Sequence, residues 1–125
     1  MKTLADLLDL VVTTLQTWPL CDSVQVMETH QYSNDQYALK VRVGLVGEGL
    51  LQVRLYRNHE HMDYAYQLVL AEPSVRWDNT EHFPSIASYP HHFHDASGRV
   101  EASPLSGDPT GDLPIVLELL AALLG

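Results

Sequence analysis

The chain has 125 residues, is 46% apolar, and sets 7 Lys+Arg against 16 Asp+Glu for a formal net charge of −9 with its histidines neutral. This length fits a single domain spanning 1–125, and the apolar share is enough for a packed core. The acidic balance excludes a generally basic nucleic-acid binder but leaves room for a local basic face, and the lone cysteine, Cys21, excludes an internal disulfide or a cysteine-built metal site.

Leu4, Leu7, Leu8, Val11 and Leu15 recur at helical spacing, with Trp18 on the same stripe and Pro19 as a stop. This predicts an amphipathic helix over residues 3 to 17 that covers one face of a sheet. Asp6 and Asp9 interrupt its apolar residues, which argues against a signal peptide. No apolar run approaches the ~20 residues of a membrane span. A cytoplasmic protein without membrane contact is the expectation.

Strand patterns follow. Ser23 to His30 is the first, closed by a turn at Asn34 and Asp35. Tyr37, Leu39, Val41, Val43 and Leu45 then alternate with Ala38, Lys40, Arg42 and Gly44, and Gly47-Glu48-Gly49 turns the chain. Leu51, Val53 and Leu55 alternate with Gln52, Arg54 and Tyr56. After Asn58 to His61, Tyr64, Tyr66, Leu68 and Leu70 mark another strand. Glu72-Pro73-Ser74 reads as a turn, and Val75 to Trp77 opens a fifth strand. Residues 79 to 97, with Pro84, Pro90 and many polar groups, read as a long ordered loop, a class that is often functional. Val100 to Ala102 fits a short edge strand. Ser106 to Gly111 is loop chemistry. Asp112 is the expected N-cap of a last helix, with Pro114 in its first turn and an apolar stripe of Leu113, Val116, Leu117, Leu120 and Leu124. The broad apolar content of that helix fits either core packing or a homodimer or partner contact. Short turns between alternating runs predict an α+β fold. It comprises an antiparallel meander of about five strands, with the N- and C-terminal helices packed on one face.

Alternation sorts the strand faces. Lys40, Arg42, Arg54 and Arg76 fall on the parity opposite the apolar set, together with Asp63, Gln67 and Asp78. They predict a basic strip on the open face, which is either an ordinary solvated surface or a local cradle for a phosphate-rich ligand such as RNA. Arg57, His59 and His61 read as an exposed hairpin end, and Trp77 as core.

The densest chemistry is Arg76-Trp77-Asp78-Asn79 followed, past His82, by Tyr89-Pro90-His91-His92-Phe93-His94. Three chemistries are open to it. Extended backbone would turn His92 and His94 the same way, to ligate a divalent metal with His82 or Asp78. Alternatively, metal-free acid–base work on a phosphodiester would use His92 and His94 for proton transfer, Arg76 to offset phosphate charge and Asp78 to orient a histidine. In that reading Lys40, Arg42, Arg54, His82 and His91 bind substrate. The third reading is structural, with imidazoles bonded to backbone carbonyls.

At these residues the chain resembles a known family. Val75-Arg76-Trp77-Asp78-Asn79, then His82 and Pro84, then Tyr89-Pro90-His91-His92-Phe93-His94, are similar to the signature of TumE-type proteins, small prokaryotic toxins of toxin–antitoxin pairs. The layout agrees over nearly the whole chain. The resemblance implies a cytoplasmic toxin with a helix-turn-helix antitoxin as partner. A metal-independent ribonuclease using the loop histidines is the leading expectation. A non-catalytic binding or dimerising module and a metal-dependent hydrolase are the alternatives. Phe83 stands where a second histidine is common in the family, and Phe93 where a lysine is common; both departures favour the non-catalytic alternative.

Overall fold

The computed structural model describes residues 2–71 and 74–125, so Glu72 and Pro73 of the turn expected there lie outside the described residues. Helix α1 spans Leu4–Gln16. It starts where expected because Thr3 and Asp6 form a reciprocal capping box, each side chain accepting from the other's backbone N–H. Leu7, Val11 and Leu15 are buried along its stripe, each stabilising the fold by about 1.5–3 kcal/mol. Tyr37 Oη and Arg57 Nη1 both donate to the Lys2 carbonyl, at 2.7 and 3.0 Å, which ties the helix start to the sheet.

Seven strands follow: β1 (Cys21–Ser33), β2 (Gln36–Leu45), β3 (Leu50–Asn58), β4 (His61–Val69), β5 (Arg76–Asp78), β6 (His92–His94) and β7 (Val100–Ala102). They form one antiparallel sheet in sequence order. The α+β meander is as expected, and β7 is the predicted short edge strand. The strand count exceeds the expected five because the loop of residues 79 to 97 contains β6. Strand β1 also runs longer than residues 23 to 30, with three register shifts along its pairing with β2.

One face of the sheet is core. Val41, Val53, Tyr66 and Trp77 form a cross-strand row, flanked by Leu39, Leu55 and Tyr64 on one side and Val43, Leu51 and Leu68 on the other, all buried. Helix α2 (Pro109–Leu124) closes that face with Leu113, Val116, Leu117 and Leu120. Its N-cap is Asp108, four residues before the expected Asp112, because Pro109 is preorganised for the first helical position. Asp112 instead turns its buried carboxylate back onto the preceding loop, accepting from Ser106 N, Ser106 Oγ and Gly107 N. Leu124, expected on the apolar stripe, is 38% exposed at the helix end. No helix among the described residues is long and apolar enough to cross a membrane.

Candidate functional site

The site is built by the pairing of two three-residue strands. β5 and β6 run antiparallel with Arg76 opposite His94, Trp77 opposite Phe93 and Asp78 opposite His92. Alternation sends the middle pair to the core side, where the Trp77 and Phe93 rings lie 4.8 Å apart, and sends Arg76, Asp78, His92 and His94 to the open face. Four chemically active side chains therefore meet because of register alone.

Asp78 is their centre. Arg76 Nε lies 2.6 Å from its Oδ2, His92 Nε2 lies 2.6 Å from Oδ1, and His94 Nε2 lies 3.5 Å from Oδ2. Asp78 and His92 are buried, whereas the side chains of His94 and Arg76 are 23% and 41% exposed, so the cluster opens to solvent on their side. Thr80 donates to Asp78 Oδ1 from its backbone N at 3.2 Å and its Oγ1 at 3.1 Å, fixing the carboxylate. His92 Nδ1 sits 3.1 Å from the Pro90 carbonyl, which fixes that ring. Burial pushes the His94 imidazole below the ordinary histidine pKa; Asp78 opposes the shift, while Arg76 and His92 add to it. Phe83 packs edge-on against both imidazoles, with ring centroids 4.9 Å from His92 and 5.8 Å from His94.

The expected basic strip shares this face. Two cross-strand rows cross the sheet side by side. One reads Glu28, Lys40, Arg54, Ala65, Asp78, His92; the other reads Gln25, Arg42, Gln52, Gln67, Arg76, His94. Ala65 of the first row and the nearby Ala38 line a hollow together with Lys40, Arg54 and Thr80.

The other two histidines lie apart. His91 has the opposite parity to His92, and its Nδ1 is 2.9 Å from Tyr64 Oη on the core side, with the two rings stacked. His82 is exposed and faces Phe83 rather than Asp78. Of the two departures noted in the loop, Phe93 faces the core and does not touch the cluster, whereas Phe83 does. Hairpin histidines His59 and His61 lie at the exposed end of the sheet, as expected, and there they pair with Asp35 and Asp63.

Sequence reasoning missed two contributors. Thr80 was passed over, although a threonine two residues after an aspartate is a common turn partner. Asn79 entered the sequence motif without a role of its own. It is buried, accepting from Tyr64 N at 3.0 Å through Oδ1 and donating to the Met62 carbonyl at 2.8 Å through Nδ2. Its side chain thus extends the β4–β5 ladder by one more pair of bonds and holds the strand that presents Asp78.

Neither the curated proteins nor the solved structures yield a match to this chain. A family model described as Toxin TumE matches residues 11–124, a span that takes in both strands of the cluster and nearly everything that packs around them. The chain belongs to the TumE toxin family.

Proposed function

We propose that the protein is the toxin of a toxin–antitoxin pair and that it acts on RNA, with Arg76, Asp78, His92 and His94 as the reacting centre. One observation carries this reading: the two cross-strand rows lead from Lys40, Arg42 and Arg54 straight to that centre on one face. With strands ~4.8 Å apart, Arg42 and Arg76 stand about 14 Å from each other, a suitable length for a short single-stranded segment. Phosphates along it would meet a cation at each end and the hollow over Ala65 between. Arg76 then neutralises charge on the phosphate next to the imidazoles.

The acidic remainder of the chain limits how tightly RNA binds. With four cationic contacts on a single strand, log affinity falls with log salt at a slope of about −3. Growth arrest and RNA cleavage, measured for the wild type and for the His92→Ala/His94→Ala double variant, test the reading. The expected result is loss of both, with Arg54→Ala weakening RNA binding more than turnover. Full toxicity in the double variant would sink it.

The proposed antitoxin partner carries a helix-turn-helix domain. A second surface supports a partner contact or homodimer: Leu123 and Leu124 at the end of α2 are 57% and 38% exposed. If the chain were a non-catalytic module, toxicity would follow this surface instead, surviving the histidine changes and failing in Leu123→Asp.

A further inference from the structure

The contacts around Asp78 are close but badly aimed. Among the described residues, Arg76 Nε, Asp78 Oδ2, His92 Nε2 and His94 Nε2 are all buried and all lack a hydrogen-bond partner, although Arg76 and His94 lie 2.6 and 3.5 Å from Oδ2 and His92 lies 2.6 Å from Oδ1 of the same carboxylate. Distance permits hydrogen bonds there, and direction does not.

The His92 tautomer sharpens the point. The Pro90 carbonyl can only accept, so the His92 nitrogen facing it at 3.1 Å, Nδ1, carries the proton. In the neutral ring Nε2 then presents a lone pair to a carboxylate oxygen 2.6 Å away. Two lone pairs at that range repel unless a cation lies between them. A second proton on His92 would supply one, but its N–H direction misses the carboxylate. An ion needs no such direction.

We propose that Asp78, His92 and His94 bind a divalent transition-metal ion of the zinc class. Their donor atoms all fall within 4.8 Å of one another. Zinc bonds of 2.0–2.1 Å set tetrahedral ligand edges of about 3.3 Å. His92 Nε2 lies 2.6 Å from Asp78 Oδ1 and His94 Nε2 lies 3.5 Å from Oδ2, on either side of that value, and the widest donor separation, up to 4.8 Å, has to close by about 1.5 Å, within reach of side-chain rotation. Two imidazoles and one carboxylate favour zinc, cobalt or nickel over magnesium or calcium, which prefer all-oxygen shells. The surroundings are those of a metal centre: a backbone carbonyl on the far nitrogen of His92, two donors from Thr80 on Asp78, and the Phe83 ring across both imidazoles. A fourth ligand would enter from the side where Arg76 and His94 border a shallow hollow with Gln67 and Asp95. A phosphate oxygen arriving there would meet both the ion and the Arg76 guanidinium. With an ion bound, the imidazoles would serve as ligands rather than as the expected metal-free acid–base pair, and the ion would supply Lewis-acid polarisation of a phosphoryl group.

The proposal concerns binding and stands or falls apart from the action on RNA. The full chain, stripped with chelator, is titrated with Co²⁺ and then displaced with Zn²⁺. The expected result is one equivalent of cobalt giving the visible bands of a nitrogen–oxygen site, lost on zinc addition. Affinity should fall on the order of 100-fold or more in His94→Ala and Asp78→Asn. It should be unchanged in His59→Ala, which removes an exposed imidazole 66% open to solvent. Because Asp78→Asn disturbs a buried group, nitrogen NMR of the wild-type histidines supplies an independent reading. His92 should show a protonated Nδ1 and an Nε2 resonance that moves on zinc addition. Both nitrogens protonated at neutral pH, with no response to zinc, would assign the cluster to a plain imidazolium–carboxylate pair and overturn the proposal. Equal cobalt binding by the wild type and His94→Ala would overturn it as well. Metal binding without RNA cleavage leaves it intact and refutes the ribonuclease reading instead.

Discussion

Replacing Asn79 with alanine should be among the most damaging single changes outside the apolar core. Asn79 is 4% exposed, and its amide satisfies two backbone groups of β4: the Tyr64 N–H at 3.0 Å and the Met62 carbonyl at 2.8 Å. A buried polar group left unpaired costs about 1–3 kcal/mol. The Tyr64 bond is buried and counts near the upper end. The Met62 bond is only part-buried, so water recovers some of its loss. The sum is about 2–4 kcal/mol, a large share of the ~5–15 kcal/mol that holds an ordinary domain together. Urea unfolding measures it as a lower midpoint at unchanged slope. Asn79→Asp separates the two bonds. The carboxylate keeps an acceptor for Tyr64 but sets an oxygen against the Met62 carbonyl. It should cost at least as much as alanine at neutral pH and recover part of the loss once acid protonates it. An alanine variant within about 0.5 kcal/mol of the wild type would refute the view that this side chain completes the β4–β5 ladder.

Three more predictions concern stability alone. Tyr66 Oη is buried with no partner among the described residues, so Tyr66→Phe should be neutral or stabilising by up to about 1 kcal/mol; a larger loss would mean the hydroxyl is satisfied after all. Burial raises the phenols of Tyr64 and Tyr66 well above their ordinary 10.0, with Asp112 adding to both. The unfolded chain therefore gives up these protons first. Stability is retained below pH 10 and lost as pH rises above it, a loss that urea titrations should find smaller in Tyr66→Phe. Gly49 has φ +95°, and a Cβ there would come within 2.9 Å of the Val69 carbonyl and closer still to the Leu70 side chain. Gly49→Ala should cost about 2–3 kcal/mol, against about 1 kcal/mol for Gly47→Ala, whose φ is +93° but whose surroundings are open. Equal losses in the two variants would remove the steric part of that argument.

The faces of β2, β3 and β4 were legible because their pairing runs without a register shift, so parity carries from Lys40 to Arg54 to Ala65 unbroken. β1 was less legible: bulges displace its apolar positions, leaving Val26 44% exposed. β5 and β6 have three residues each, too few for periodicity to register. What could be read was the local alternation that puts His92 and His94 together. The same alternation should have removed His91 from the substrate-binding group, since neighbouring residues of an extended segment face opposite ways. The convergence of His92 on Asp78 was beyond the sequence, because it depends on how a thirteen-residue excursion returns β6 to β5. The α2 start was misplaced because two aspartates, Asp108 and Asp112, both fit a cap. The proline after the first decides between them.

Sheet order that follows sequence order has a kinetic corollary. Every strand hydrogen-bonds to its neighbour in the chain, so most of the sheet assembles hairpin by hairpin with short loops to close. The exception is the joint between β5 and β6, which encloses the longest connection in the sheet and therefore the largest closure entropy. Asp78 and His92 lie on opposite sides of that joint. The basic strip from Lys40 to Arg54 needs only short loops to close, whereas the pairing that joins Asp78 to His92 needs the longest one. A newly synthesised chain would thus pass through a stage with its basic strip built and Asp78 and His92 still apart.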